Sequence, residues 1–97
     1  MRSTLEKGVL TIYLEGELNS YNSEEVEKEI EEITKSNSFS SIVLDFKDLT
    51  YISSAGLRIV IRLKQLYDDT SIINAQKVVF DIFNMVGLTN AINIKQA

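Results

Sequence analysis

Apolar and polar positions along this chain fall into short blocks, and each block marks an element. Residues 9–14 (Val-Leu-Thr-Ile-Tyr-Leu) are β-branched, aromatic and aliphatic, and lie between Gly8 and Gly16, which predicts a strand. Lys7-Gly8 fits the tip of a hairpin returning from a short first strand near residues 2–6. Residues 16–22 are polar and read as a loop. Asn22-Ser23-Glu24-Glu25 then opens a helix, with Asn22 as its cap and Glu25 placed as in a capping box. Acids fill that first turn, where the helix dipole favours them. Val26, Ile30 and Ile33 recur at helical spacing as one buried stripe, with Glu24, Glu27, Glu31 and Glu32 on the other faces. Residues 36–41 are a serine-rich loop around Phe39.

Residues 42–46 (Ile-Val-Leu-Asp-Phe) are almost continuously apolar, which suits a central strand covered on both faces. Residues 48–53 read as a turn, and a second helix is expected over about residues 55–67. On that helix Leu57, Val60, Ile61 and Tyr67 trace one face, interrupted by Lys64, while Ile59, Leu63 and Leu66 spill onto another. So broad an apolar band means deep burial or an apolar edge open to a partner. Residues 71–74 (Ser-Ile-Ile-Asn) predict a short buried strand. Gln76 to Met85 or Val86 predicts a third helix, with Val79, Ile82, Phe83 and Val86 inward and Gly87 as a left-handed C-cap. Residues 91–94 fit a final edge strand. The order β-β-α-β-α-β-α-β places the chain in the α/β class, a mixed sheet of about five strands with helices packed on it. At 97 residues, positions 1–97 form a single domain.

Composition narrows the function. The chain is 44% hydrophobic and 25% charged, the balance of an ordinary globular fold. It has no cysteine, hence no disulfide framework, thiolate metal site or cysteine nucleophile. Histidine is also absent, which removes the commonest general base and the commonest metal ligand together. These two absences point away from an enzyme. A net charge of −4 argues against direct DNA or RNA binding, which needs clustered Lys and Arg. Every apolar run is shorter than the ~20 residues of a membrane helix, and no signal peptide is recognisable. The expected compartment is the cytoplasm, with no membrane partner.

The informative stretch is residues 42–66, in which a buried strand leads through a tight turn into Ser53-Ser54-Ala55-Gly56-Leu57 and a helix. A serine just before a helix can accept a bond from a backbone N–H two or three residues on, so capping alone would account for Ser53 and Ser54. The functional reading rests on the same place in the fold. A helix start presents unpaired N–H groups and partial positive charge, so it tolerates an anion. Gly56 lets other groups approach the backbone, and Arg58 stands one turn beyond Ser54 on the same face. A phosphate on Ser54 would add roughly −1.5 to −2 charges there without an evident reason for the fold to break. Its effect would fall on whatever docks at that surface.

The pattern Leu44-Asp45-Phe46-x-x-Leu49-x-x-Ile52-Ser53-Ser54-Ala55-Gly56-Leu57 resembles the central signature of the STAS domains, and within them the single-domain bacterial anti-sigma factor antagonists. The resemblance spans the chain: Gly16-Glu17-Leu18-Asn19 is similar to the family's loop after the second strand, and residues 83–88 to its closing helix and Gly-Leu turn. It implies a partner-switching cycle. The unphosphorylated antagonist binds an anti-sigma factor that is also a serine kinase, and a sigma factor is released. That kinase phosphorylates the second serine of the pair, here Ser54, and a metal-dependent serine phosphatase resets it. ATP and metal would belong to those partners, so no cofactor is expected in this chain. Two positions depart from the commonest family pattern: Asn19 stands where Asp is usual, and Ser53 where Asp is frequent. Asn19 keeps the hydrogen-bonding shape of Asp but drops its charge.

The expected docking surface comprises Asn19, Ser20 and Tyr21 of the loop, Ser53, Gly56, Leu57 and Arg58 around the helix start, and Ile59, Arg62 and Leu63 along the helix. Ile59, Leu63 and Leu66 are read as its exposed apolar part. Alternatives are weaker. The six glutamates of residues 24–32 are most simply a solvated face, and Asp45, Asp48, Asp68 and Asp69 lack metal-ligand spacing. Arg58, Arg62 and Lys64 form a small basic patch that would either meet an acidic partner or offset nearby acids. The four glycines, at 8, 16, 56 and 87, make no phosphate-binding loop. A second function class is a non-catalytic STAS interaction subunit of a larger signalling or transporter assembly. Oligomeric state is not legible.

Overall fold

The computed structural model describes all 97 residues, 1–97. The opening hairpin joins β1 (Arg2–Glu6) to β2 (Val9–Leu18). Lys7 and Gly8 occupy the left-handed region, φ 50° and 80°, as a two-residue turn matched to strand twist requires. Helix α1 (Ser23–Lys35), β3 (Ser41–Ile52), α2 (Ser54–Leu66), β4 (Thr70–Ala75), α3 (Lys77–Met85), a 3₁₀ turn (Leu88–Asn90) and β5 (Asn93–Gln96) follow. The strands lie in the order β1-β2-β3-β4-β5, with β1 antiparallel to β2 and every other pair parallel. The element order read from the sequence is the observed one.

Each parallel pair is bridged by a helix, and the three crossovers step across the sheet in the same direction. Right-handed connections then put all three helices on one face. Burial follows: Leu10, Ile12, Ile42, Leu44, Phe46 and Ile72 are sealed beneath the helices, whereas Thr11, Tyr13, Val43, Asp45 and Ile73 on the opposite face are only half-buried. The expectation that residues 42–46 are covered on both faces is therefore corrected. An apolar run shows that a strand is central, but connection handedness decides how many of its faces are roofed. Phe46 meets Phe83 of α3, ring centroids 6.1 Å apart, at the centre of the core.

Other corrections concern boundaries and phase. Both β2 and β3 run beyond their apolar cores, so the expected loop at 16–22 narrows to residues 19–22 and the expected turn at 48–53 is strand as far as Ile52. Their polar ends pair as Glu15↔Asp48, Gly16↔Leu49, Glu17↔Tyr51 and Leu18↔Ile52, with register shifts on either side of the first two. Gly16 at φ 73° allows this irregularity, and backbone pairing holds a segment whose side chains carry no simple alternation. Val86 is exposed rather than inward, because the chain turns away at Gly87 (φ 79°). Ile92 is buried in the core just beyond the 3₁₀ turn, which delays β5 to residue 93.

The largest correction lies on α2. Ile59 and Leu63 are each only 6% exposed. They line a groove with Ile30 and Thr34 of α1, closed at its rim by an ion pair between Arg62 and Glu27. Helix α1 lies beside α2 on the same face of the sheet, so one side of the broad apolar band is covered by the sheet and the other by α1. Of the three residues expected to form an exposed apolar edge, only Leu66 is open, at 69%.

Candidate functional site

The site is the junction of three segments: the end of β3, the first turn of α2 and the loop that follows β2. Leu18 and Ile52 end their strands as register partners, and the Ser53 N–H continues the ladder by donating to the Leu18 carbonyl at 2.8 Å. The chain then turns into α2 with Ser53 as its cap. Ser53 is extended (φ −94°, ψ 176°) and its Oγ accepts from the Gly56 N–H at 3.3 Å. Its carbonyl accepts from the Leu57 N–H at 2.9 Å.

The serine pair is thereby divided. Ser53 is half-buried and tied on three sides, whereas Ser54, the first helical residue, is exposed and its hydroxyl has no partner in the protein. The capping role weighed for both serines belongs to Ser53. The Ser53 cap satisfies one first-turn donor and leaves the N–H groups of Ser54 and Ala55 without an intrahelical acceptor. No acidic residue lies in that turn. Arg58, one turn on, is exposed and makes no ion pair, while Arg62 is held by Glu27 and Lys64 by Asp68. The local field at Ser54 thus favours an anion.

Gly56 acts inward. A Cβ at this position would lie 2.7 Å from Ile52 Cγ1 and 2.8 Å from Leu18 Cγ, so the missing side chain lets the helix start seat directly on both strand ends. Gly56 and Leu57 are buried and support the surface from beneath instead of forming it; Ile59 and Leu63 do the same against α1. Of the residues expected to meet a partner, Ser20, Tyr21, Arg58 and Arg62 are exposed, as is the expected phosphorylation site Ser54, and Asn19 and Ser53 are half-buried.

The loop beside the helix start is held by two asparagines. Asn19 Oδ1 accepts from the Tyr21 N–H at 2.9 Å and the Asn22 N–H at 3.2 Å. Asn22 Oδ1 accepts from the Asn19 N–H at 2.9 Å, and its Nδ2 donates to the Glu17 carbonyl at 2.7 Å. Asn22 occupies the N-cap position of α1 but makes no cap bond, so the expected capping box with Glu25 does not form. Tyr21, at the top of this loop, is 97% exposed. The role of Asn22 had no sequence signal distinct from capping, since Asn suits both tasks.

A cavity of about 520 Å³ adjoins this loop, between the irregular ends of β2 and β3 and the face of α1, with Leu18 and Asn22 among its walls beside Tyr13, Glu15, Asp45 and Lys47. No group of three potential ligands is placed to hold a metal ion, and Asp45 is engaged by the Asn74 amide and the Lys47 N–H.

The family model of the STAS domain matches residues 2–97. The chain belongs to the STAS domain family. This STAS domain is 34% identical over 94 residues to BtrV of Bordetella bronchiseptica, provisionally assigned as an anti-sigma factor antagonist, with 90% of this chain and 79% of BtrV covered. Its fold is similar to that of TM1081 from Thermotoga maritima, provisionally assigned to the same class, with a TM-score of 0.86, 16% identity, and coverage of 99% and 86% of the two chains. It is also similar to the anti-sigma factor antagonist SpoIIAA in its unphosphorylated form, with a TM-score of 0.74, 21% identity, and coverage of 96% and 87%. The phosphorylated form of SpoIIAA from Bacillus matches with a TM-score of 0.65 and 20% identity, covering 96% and 90%. At these identities the solved structures establish a shared fold. No helix is long and apolar enough to cross a membrane.

Proposed function

We propose that this STAS domain is an anti-sigma factor antagonist that works by partner switching. Unphosphorylated, it docks on an anti-sigma factor that is also a serine kinase, and the sigma factor held by that protein is released. Phosphorylation at Ser54 ends the docking, and a metal-dependent serine phosphatase restores it. The domain is a regulator that accepts a phosphate and performs no chemistry of its own; nucleotide and metal are bound by its partners. With a net charge of −4, it acts on transcription through protein contacts, not by touching DNA.

The observation that carries the reading is the division of labour at the helix start. Ser53 caps α2, which leaves the Ser54 hydroxyl exposed and unbonded in an anion-tolerant position. A phosphate there meets the free N–H groups of the first turn, and Arg58 stands one turn away. The domain tolerates the charge, and the cost falls on the partner, which must bury or repel it. Likeness to BtrV and to SpoIIAA supports the same role.

The test is affinity capture from the cells that make the protein, using wild type, Ser54→Ala and Ser54→Asp as baits. A serine kinase retained by wild type and Ser54→Ala but lost with Ser54→Asp is the expected result, with purified kinase transferring phosphate to wild type and not to Ser54→Ala. Equal capture by all three baits, or phosphate transfer to Ser54→Ala, would overturn the reading.

A further inference from the structure

Asn22 stands where a helix cap belongs and does something else. Asn, Asp, Ser and Thr are favoured at that position because their side chains accept from the N2 or N3 backbone N–H. Here the backbone of Asn22 is at φ −111°, ψ 0°, not extended, and its side chain makes no cap bond to α1. It faces back into the loop, where Oδ1 takes the Asn19 N–H and Nδ2 donates to the Glu17 carbonyl at the end of β2. Asn19 answers with two bonds to the Tyr21 and Asn22 N–H groups. Four side-chain bonds thus brace the loop of residues 19–22, which leaves β2 where the Ser53 N–H is bound to Leu18.

The residue this clamp presents is Tyr21, the most exposed large hydrophobic side chain of the protein at 97%. So exposed a ring gains nothing from burial in the isolated domain. A tyrosine on a braced main chain has only two χ angles left to fix on docking, and tyrosine is among the commonest anchors at the centre of protein interfaces. Forgoing a cap for α1 in order to hold a loop whose one large side chain is directed into solvent has no evident return in stability.

We infer that Asn22 is a positioning residue of the docking surface, whose clamp with Asn19 holds Tyr21 ready to enter a pocket of the partner kinase beside Ser54. The inference rests on the function proposed above. It assigns the contact to a preformed aromatic anchor rather than to a loop that orders on binding. The partner it fits is a folded protein surface with a recess for a phenol ring next to the site that receives Ser54.

The test uses the purified kinase captured by Ser54→Ala and measures steady-state phosphorylation of the full chain together with thermal melting. Tyr21→Ala is expected to raise KM about tenfold or more, with kcat and Tm little changed, as for loss of a docking contact. Asn22→Ser can still cap α1 but cannot span the loop; it is expected to raise KM in the same direction with Tm unchanged or higher, and to speed amide exchange at Asn19 and Tyr21. Tyr21→Ala and Asn22→Ser together should raise KM little beyond Tyr21→Ala alone. Unchanged KM for Tyr21→Ala, or for a folded Asn22→Ser, overturns the inference while leaving the Ser54 switch standing. Absence of phosphate transfer to the wild-type chain would instead remove the function proposed for it. If Asn22→Ser does not fold, Asn22 is structural and the inference fails, whatever Tyr21→Ala shows.

Discussion

Replacing Gly56 with alanine probes the packing that joins the functional site to the core. The added Cβ would lie 2.7 Å from Ile52 Cγ1, 2.8 Å from Leu18 Cγ and 3.0 Å from Leu18 Cδ2. Both side chains are 1% exposed, so a χ1 change that moved either γ carbon would drive it into packed neighbours. Overpacking of a filled core costs about 1–3 kcal/mol. Alanine recovers about 0.5–1 kcal/mol of helix propensity, which leaves a net loss of about 1–2 kcal/mol. For a domain of this size 1 kcal/mol corresponds to ~4–8 °C in Tm, so melting followed by circular dichroism should fall by about 10 °C. The displaced residues carry the site: Leu18 leads into the Asn19 loop and Ile52 into Ser53. Phosphorylation of the folded variant by the partner kinase should therefore slow as well. Ser54→Ala, exposed and unbonded, is the stability control. An unchanged or raised Tm for Gly56→Ala would refute the reasoning, since Leu18 and Ile52 would then have room to move.

Ser53→Ala removes the cap of α2 and should cost ~1 kcal/mol, while Ser53→Asp, still a capping residue, should keep most of that stability in the same melting assay. Ile59→Glu places a carboxylate in the covered groove between α1 and α2 and should destabilise by ~3 kcal/mol or more; a variant that melts like wild type and only loses partner binding would contradict the packing described here. Phosphorylated Ser54 should change folding stability by less than ~1 kcal/mol, because the helix start and the unpaired Arg58 receive the charge; strong destabilisation of the phosphoprotein in urea titration would show that they do not.

Much of the fold was legible because its elements carry clean local signals. Val-Leu-Thr-Ile-Tyr-Leu after Lys7-Gly8 marked a strand following a hairpin turn, and Val26, Ile30 and Ile33 marked a helix, each matching the observed element in kind. The later parts of β2 and β3 carry no such signal, because backbone pairing across an irregular register, not side-chain alternation, holds those residues. Phase on α2 was misread for a different reason. Ile59 and Leu63 are apolar whether they face a partner or α1, and only the placement of α1 on the same face of the sheet decides between the two. Asn22 was misassigned because one residue type serves both as helix cap and as loop clamp.

The sequence by itself determined the order of strands and helices, the absence of histidine and cysteine chemistry, and the serine pair at a helix start. These are local properties: hydrophobic period, turn residues and side-chain inventory are written in consecutive positions. Tertiary structure alone decided which serine is the cap and which is free, since that depends on Ser53 being drawn into the ladder by the Leu18 carbonyl. It also decided that Gly56 faces the core and that Tyr21 stands in solvent on a braced loop. Each of those outcomes depends on groups distant in the chain competing for one neighbour, and that competition is resolved only when the sheet and its helices are assembled.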